Sequence, residues 1–491
     1  MKLVTSTFDN FRCFKQYSLN YGKETTVIIG KNGTGKSSIL SGIRRGLSFM
    51  FARPQEFPRN LSSSNNAAVR SFKKDEANFD PSDRVFHYPI ENTFKAIFGD
   101  QGLEWSMVKS SQQGGYSTKR YAKALFSILG AYNQDLKAAL PVLSVLTDSF
   151  PHEMMRFGPK VKKTIGQDTL PRDLAYYGWD ERVNCIELWL NRLYKISNFD
   201  KDLSDEIRAA EAQLKIQHRR LEETEEGDVA RIAQIQGAIQ KTRERLQYIQ
   251  SDKRIAEFKK EEEYIKRKLL DFTKPIAEEY PFINKEFELY NTPVRRPDKK
   301  TYVLEFEFAD GRVIPFNTLP MGYKRVFSMV LDIAYRSFIL NGDIESEGIV
   351  LIDEIELHLH PTLQQEILQR FKKTFPKIQF IVTTHSPLVI SNFKANENNI
   401  IVKLEHEGNT YSTEYVENVY GIDYATNLSE VMEVAPRAST IDKYINAYLF
   451  LSDKGQAGKA ADMLAKLKTY LGGEIPKKLQ NELNSKNKPS H

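Results

Sequence analysis

Cysteine is almost missing. The 491-residue chain carries two, Cys13 and Cys185, which excludes a disulfide framework and any cysteine-rich zinc site. Long apolar runs are missing too. None approaches the roughly 18 residues that a membrane span needs, and the opening MKLVTSTFDNF has no signal-peptide core. These absences predict a cytoplasmic protein with no membrane partner. Charge of one sign is weak: a net +6 over this length is compatible with nucleic-acid contact without demanding it. Basic clusters at Lys160/Lys162/Lys163 and Arg295/Arg296/Lys299/Lys300 could meet phosphate, although such clusters are more often solvated surface.

Proline is absent from Asp202 to Leu270 and glycine is scarce there, amid a dense mixture of Glu, Lys, Arg and Gln. That composition is helical. Leu203, Ile207, Ala210, Leu214, Gln217 and Leu221 recur in a 4,3 rhythm, and so do Ile232, Ile235, Ile239, Thr242, Leu246 and Ile249. Both are heptad seams. Between them, EETEEGDVA offers Gly227 to end one helix and Asp228 to cap the next. An antiparallel coiled-coil hairpin is expected, its shorter arm (Leu203 to Glu226) about 35 Å long at ~1.5 Å per residue. Few apolar residues lie outside the seams, which favours projection over packing flat on the body. Elsewhere, a 41% hydrophobic content is enough for a sizeable core, and the length predicts two or more structural units.

The N-terminal part contains VIIGKNGTGKSSIL. Thr26 to Ile29 reads as a buried strand, and a helical pattern begins after Lys36 and Ser37. Between them runs the phosphate-loop pattern G-x-x-x-x-G-K-S, Gly30-Lys31-Asn32-Gly33-Thr34-Gly35-Lys36-Ser37, with Ser38 next in the chain. Its glycines let backbone N–H groups converge on phosphate oxygens, and the new helix presents its positive end. Lys36 can reach the β/γ oxygens of ATP, and the Ser37 hydroxyl can hold Mg²⁺.

After the hairpin, EGIVLIDEIELHLHP gives a buried strand, Ile349 to Ile352, that ends in Asp353 and Glu354. An aspartate there can orient Mg²⁺ and the adjacent glutamate can polarise an attacking water. IQFIVTTHSPLVI gives a further strand, Phe380 to Thr383, ending near His385, which is placed to contact the γ-phosphate and help position the water. Upstream, Leu319-Pro-Met-Gly322-Tyr opens a helix with Val326, Met329, Val330 and Ile333 on one face. His358 and His360 invite a metal reading, but no separate acidic ligand cluster accompanies them.

This order of phosphate loop, long insertion, L-x-x-G helix start, Asp-Glu strand and terminal histidine resembles the ABC-type ATPase heads of the SMC, Rad50, RecF and OLD families. NFRCF, Asn10 to Phe14, resembles the first-strand segment of those heads. The resemblance implies an α/β fold, a mixed sheet with flanking helices. It would be divided into an N-terminal lobe (1–198), the hairpin (199–272), a C-terminal lobe (273–435) and a helical extension (436–491). It also implies that Leu319 and Gly322 touch the nucleotide of another protomer, so that heads pair as a homo-oligomer, and that Arg12 lies near the nucleotide. The family's signature usually has serine where this chain has Pro320, which removes a hydroxyl and an N–H donor and implies weaker contact in trans and slow turnover. The family's glutamine loop is not identifiable among Gln101, Gln112 and Gln113.

OLD-type proteins carry a Toprim nuclease after the switch histidine, with a D-x-D motif. Residues 386–491 contain no D-x-D, and the chain lacks an HNH-like arrangement. Instead, NVYGIDYATNLSEVMEVAPRAST, Asn418 to Thr440, resembles the end of the PtuA-like ATPases of Septu and retron antiphage systems. That resemblance implies a separately encoded PtuB-like HNH nuclease as partner, with a reverse transcriptase and its RNA/DNA hybrid where a retron is involved. Ile441, Tyr444, Ile445, Tyr448 and Leu449 share one helical face, and Met463, Leu464, Leu467 and Leu471 form a second after a Gly455–Gly458 turn. This predicts a helical hairpin that packs on the head or docks a partner. The alternative function is a RecF/SMC-like DNA-repair or DNA-clamping ATPase with no nuclease.

Overall fold

The computed structural model describes residues 1–62, 67–82, 84–115, 117, 120–147, 150, 158–180, 185–225, 228–276, 287–295, 302–408, 410–417, 419–434 and 438–486. They form two compact units, Met1–Tyr420 and Gly421–His491. Among the described residues no helix is long and apolar enough to cross a membrane.

The first half supplies strands β1 (Lys2–Phe11), β2 (Phe14–Asn20), β3 (Thr25–Gly30), β4 (Asn78–Asp80), β5 (Val85–His87), β6 (Ile90–Phe98), β7 (Gln101–Lys109) and β8 (Val142–Leu146). After the hairpin come β9 (Leu289–Asn291), β10 (Val294–Arg295), β11 (Val303–Phe308), β12 (Val313–Pro315), β13 (Gly348–Ile352), β14 (Ile378–Thr383), β15 (Asn399–Glu407) and β16 (Thr410–Val416). The main sheet has the order β16-β15-β3-β14-β13-β8. Five of its strands are parallel, and β16 is an antiparallel edge. Strands flanked on both faces read as continuous apolar runs; accordingly VLSVL, GIVLI and IQFIVT are buried at every position. A second, antiparallel sheet, β2-β1-β6-β7, is tied to the first by Gln379. This buried amide accepts from Leu3 N–H (2.7 Å) and donates to the carbonyls of Leu3 (2.8 Å) and Gly22 (2.7 Å).

The helix Met321–Asn341 differs from its expected one-sided pattern. From Arg325 to Ser337 it is buried on every side. Its buried charges are tolerated there because they are paired: Asp332 accepts from Ser144 Oγ (2.7 Å), Trp189 Nε1 (2.9 Å) and Arg336 Nε (2.7 Å).

The hairpin begins earlier than the seams suggest, because its outgoing helix starts inside the body and runs Ile186–Glu222. The return arm is two helices, Val229–Gln250 and Lys253–Thr273. Asp228 caps the first, accepting from Arg231 N–H at 3.1 Å, and Asp252 caps the second. Gly227 lies outside the described residues. The arms run antiparallel: His218 meets Arg243, Glu206 meets Arg245, and nearer the body Ser197 meets Glu262. All twelve seam residues are buried or half-buried, whereas nearly every other position on the two facing stretches is exposed. Val229–Gln250 packs mainly on the outgoing helix, as a projecting arm would, while Lys253–Thr273 packs into the body.

Among the described residues the second unit opens with a short helical segment, Tyr424–Thr426 continuing into Asn427–Val431, and then holds three longer helices, Ser439–Asp453, Ala457–Tyr470 and Lys477–Lys486, rather than the expected two. Its core is Ile445, Leu467 and Leu483, surrounded by Ile441, Tyr444, Tyr448, Leu449, Leu464, Leu471, Ile475 and Leu479. The third helix is hard to read from the sequence because KKLQNELNSK carries only two apolar residues, Leu479 and Leu483. Gly455, at φ 68°, makes the turn, and Gly458 is already helical.

Candidate nucleotide site

Ligands of open α/β sheets bind at the carboxyl ends of the strands. Here β3, β14 and β13 lie side by side, and the segments leaving their carboxyl ends meet in one cleft of about 270 Å³. Asn32, Gly33 and Gly35 come from the loop after β3 and Lys36, Ser37 and Ser38 from the helix it opens, Asp353 and Glu354 follow β13, and Thr383 ends β14 with His385 just beyond; Cys13 closes one wall. Segments more than three hundred residues apart in sequence thus form one site.

The phosphate loop needs its glycines. Gly35 sits at φ 98°, and a Cβ there would lie 2.6 Å from the Phe14 ring. The adjoining helix, Lys36–Leu47, has no side-chain cap, so its first N–H groups remain available to an anion. Lys36 is buried, and its ammonium donates to the carbonyls of Gly30 (2.8 Å) and Lys31 (3.0 Å). Burial lowers its pKa, an effect countered by the carboxylates of Asp353, Glu354 and Glu356. A cation held in place by backbone carbonyls and faced by three acids is poised to exchange those partners for phosphate oxygens.

The Asp-Glu pair is fixed from two sides. Asp353 accepts from Thr383 Oγ1 at 2.5 Å, and the same oxygen accepts from Glu354 N–H at 2.9 Å. Glu354 adopts φ 49°, a left-handed conformation that a non-glycine residue holds only where its surroundings enforce it. The fully buried Arg325 provides that constraint. It donates to the carbonyls of Asp353 (3.1 Å) and Glu354 (3.2 Å), and to those of Thr147 (3.0 Å) and Phe150 (2.9 Å). Neither Arg325 nor Thr383 stands out in the sequence, because both act through backbone or hydroxyl contacts that the fold alone creates.

Other expected residues lie elsewhere. Leu319 and Gly322 do not line the cleft; they open the helix Met321–Asn341, and a Cβ on Gly322 would come within 2.3 Å of the His358 carbonyl. Arg12 is not in the phosphate cleft either. It pairs with Glu76 (3.1 Å) and lines an adjoining cavity of about 400 Å³. Cys13 is common to both cavities; the second also holds Phe79, Phe86 and a stacked His406–Tyr411 pair with ring centroids 4.3 Å apart. Gln101, Gln112 and Gln113 line neither cavity. His360 caps a short helix, its Nδ1 2.9 Å from Thr362 Oγ1. Lys160, Lys162 and Lys163 are solvent-exposed, Arg295 is paired with Glu305 and Glu307, and Arg296, Lys299 and Lys300 lie outside the described residues.

Fold and cleft together define a P-loop ATPase of α/β architecture. A family model described as AAA ATPase domain matches residues 1–96 and 148–390, and the chain belongs to that family of nucleotide-binding enzymes. It is 26% identical over 416 residues to the retron Vc95 probable ATPase of Vibrio cholerae serotype O1 biovar El Tor, a match covering 78% of this chain and 70% of the relative. It is 44% identical over 92 residues to the Septu protein PtuA of Bacillus mycoides (strain KBAB4), covering 18% of this chain and 12% of that one. Among solved structures it is similar to the Smc head domain with an extended coiled coil from Pyrococcus furiosus, with a TM-score of 0.41 and 14% identity over 85% of this chain and 96% of that one. The retron and Septu relatives agree with the PtuA-like resemblance read from the sequence.

Proposed function

We propose that the chain is the ATP-hydrolysing subunit of a bacterial antiphage assembly, closing head on head over ATP and so controlling a separately encoded, PtuB-like HNH nuclease. The observation that carries this reading is the convergence of Lys36, Ser37, Asp353, Glu354 and His385 in one cleft. The retron and Septu relatives support the biological setting. Lys36 and the loop N–H groups would hold the β- and γ-phosphates, Glu354 would take up the proton of an attacking water, and His385 would orient that water. Ser37 and Asp353 are hard oxygen donors suited to Mg²⁺, which when bound offsets charge on the phosphates. The adjoining cavity, with its aromatic rings and Arg12, would receive the nucleoside. Gly322, half-buried and outside the chain's own cleft, would meet the nucleotide of a second copy, with Leu319 buried behind it as support.

Phage challenge tests the defence reading. Cells carrying this chain together with a neighbouring HNH gene should be protected, and either gene alone should not protect; protection by this chain alone would overturn the need for a nuclease partner. The purified chain should cut neither DNA nor RNA with any common divalent metal. Metal-dependent cleavage that survives stringent purification would place a nuclease within this chain.

The projecting hairpin favours a second reading, a DNA-clamping ATPase without a nuclease. Replacing Lys215 to Glu244 by a short Gly/Ser turn leaves the arm's base in register. ATP binding should survive this change while defence, or partner assembly monitored by size-exclusion chromatography, is lost. A shortened chain that assembles and protects like the parent would show that the arm contacts no partner.

A further inference from the structure

The loop after β13 carries a third acid that the nucleotide chemistry does not use. Glu356 is half-buried, and both of its carboxylate oxygens are occupied. Oε2 accepts from the Thr384 hydroxyl at 2.7 Å, and Oε1 accepts from the backbone N–H of His385 at 2.6 Å. The contact continues beyond these two residues. Thr384 Oγ1 accepts from Ser386 N–H (3.0 Å), Ser386 Oγ donates to Gln364 Oε1 (2.6 Å), and Gln364 Nε2 donates to the Leu359 carbonyl (2.9 Å). A closed ring of hydrogen bonds therefore joins the segment 356–364 to the segment 384–386. Within it the His385 backbone is fixed while its side chain is exposed at the cleft. A carboxylate that holds one donor on each oxygen is anchored at both, and its charge strengthens both bonds.

We infer that Glu356 is a positioning residue: it clamps the backbone of His385 so that the imidazole meets the γ-phosphate and the attacking water in one fixed geometry. This rests on the ATPase role proposed for His385. A misplacement of about 1 Å at a reacting centre can cost on the order of 100-fold in rate, so the clamp affects turnover while binding rests on the phosphate loop. Glutamine at this position keeps the shape and can still accept from the His385 N–H, but its amide N–H₂ then faces the Thr384 hydroxyl, which must turn from donor to acceptor, and both bonds lose the charge that strengthens them.

Glu356→Gln should lower kcat for ATP by about 10- to 100-fold and leave KM and the melting temperature close to those of the parent. The decisive comparison is with His385→Ala. If Glu356 acts through His385, the double variant should turn over ATP no more slowly than His385→Ala alone. Losses that multiply would overturn the inference, as would an unchanged kcat in Glu356→Gln. If Glu356→Gln does not fold, Thr384→Val removes one donor at nearly constant volume; it should show a smaller loss of kcat that again vanishes in the His385→Ala background, and unchanged turnover would overturn the clamp. Normal turnover in His385→Ala itself would remove the proposed role of the histidine, and the clamp with it, while leaving the phosphate-loop assignment standing.

Discussion

Lys36→Ala is expected to weaken ATP binding by about 100-fold, the scale of removing one partner from a desolvated charge pair. Lys36 is buried, its ammonium already held by the Gly30 and Lys31 carbonyls at the site where phosphate oxygens would gather. Alanine leaves the loop glycines and the helix N-terminus in place, so residual affinity measures their contribution. It also leaves Asp353, Glu354 and Glu356 without the cation they face, which makes a polyanionic nucleotide still less welcome. Isothermal titration with ATP and Mg²⁺ reads the effect directly. Affinity equal to the parent's would remove the phosphate-loop assignment.

Glu354→Gln should have the opposite profile, with binding kept and hydrolysis slowed by roughly 100-fold or more, the usual contribution of a positioned base. The substitution is well suited to isolating the charge. Glu354 is held in its left-handed conformation through its backbone, by Thr383 Oγ1 and Arg325, and neither contact involves the carboxylate. A glutamine should therefore occupy the same place without the capacity to take a proton. Closed heads should then persist, visible by light scattering as a larger species in ATP that the parent forms only transiently. Phosphate release at the parent's rate would move the base elsewhere.

The parts of the site legible in the sequence are those whose chemistry is local. The phosphate loop needs glycine at fixed offsets between a strand and a helix, and the buried strands before Asp353 and His385 are apolar except for Gln379 and Thr383, because helices or the second sheet cover both faces. The heptad seams are legible for a similar reason, since a helix that touches only one neighbour needs only one apolar stripe. Contacts between distant segments are not. Arg325 acts on two carbonyls 28 and 29 residues away, and Glu356 on a hydroxyl and an N–H 28 and 29 residues away. Either side chain, read alone, is one more charge on a charged surface. Arg12 illustrates the converse: its likeness to a nucleotide-proximal arginine is legible, whereas the cavity it lines is assembled from β4, β5 and the β15–β16 hairpin. The break at Ser251–Asp252 escapes a reading by composition because the helical composition runs straight through it, although the rhythm of the seam stops at Ile249.

In the proposed assembly the nucleotide state of this chain governs a nuclease on another chain. The most direct measurement reconstitutes the chain with the proposed PtuB-like HNH nuclease and monitors DNA cleavage with no nucleotide, with ATP and with ADP, using the parent and Glu354→Gln. Cleavage is expected to change at least about tenfold between nucleotide states, and the Glu354→Gln assembly should stay locked in its ATP-bound level of activity. Identical cleavage under every condition, in a complex that demonstrably forms, would contradict nucleotide control.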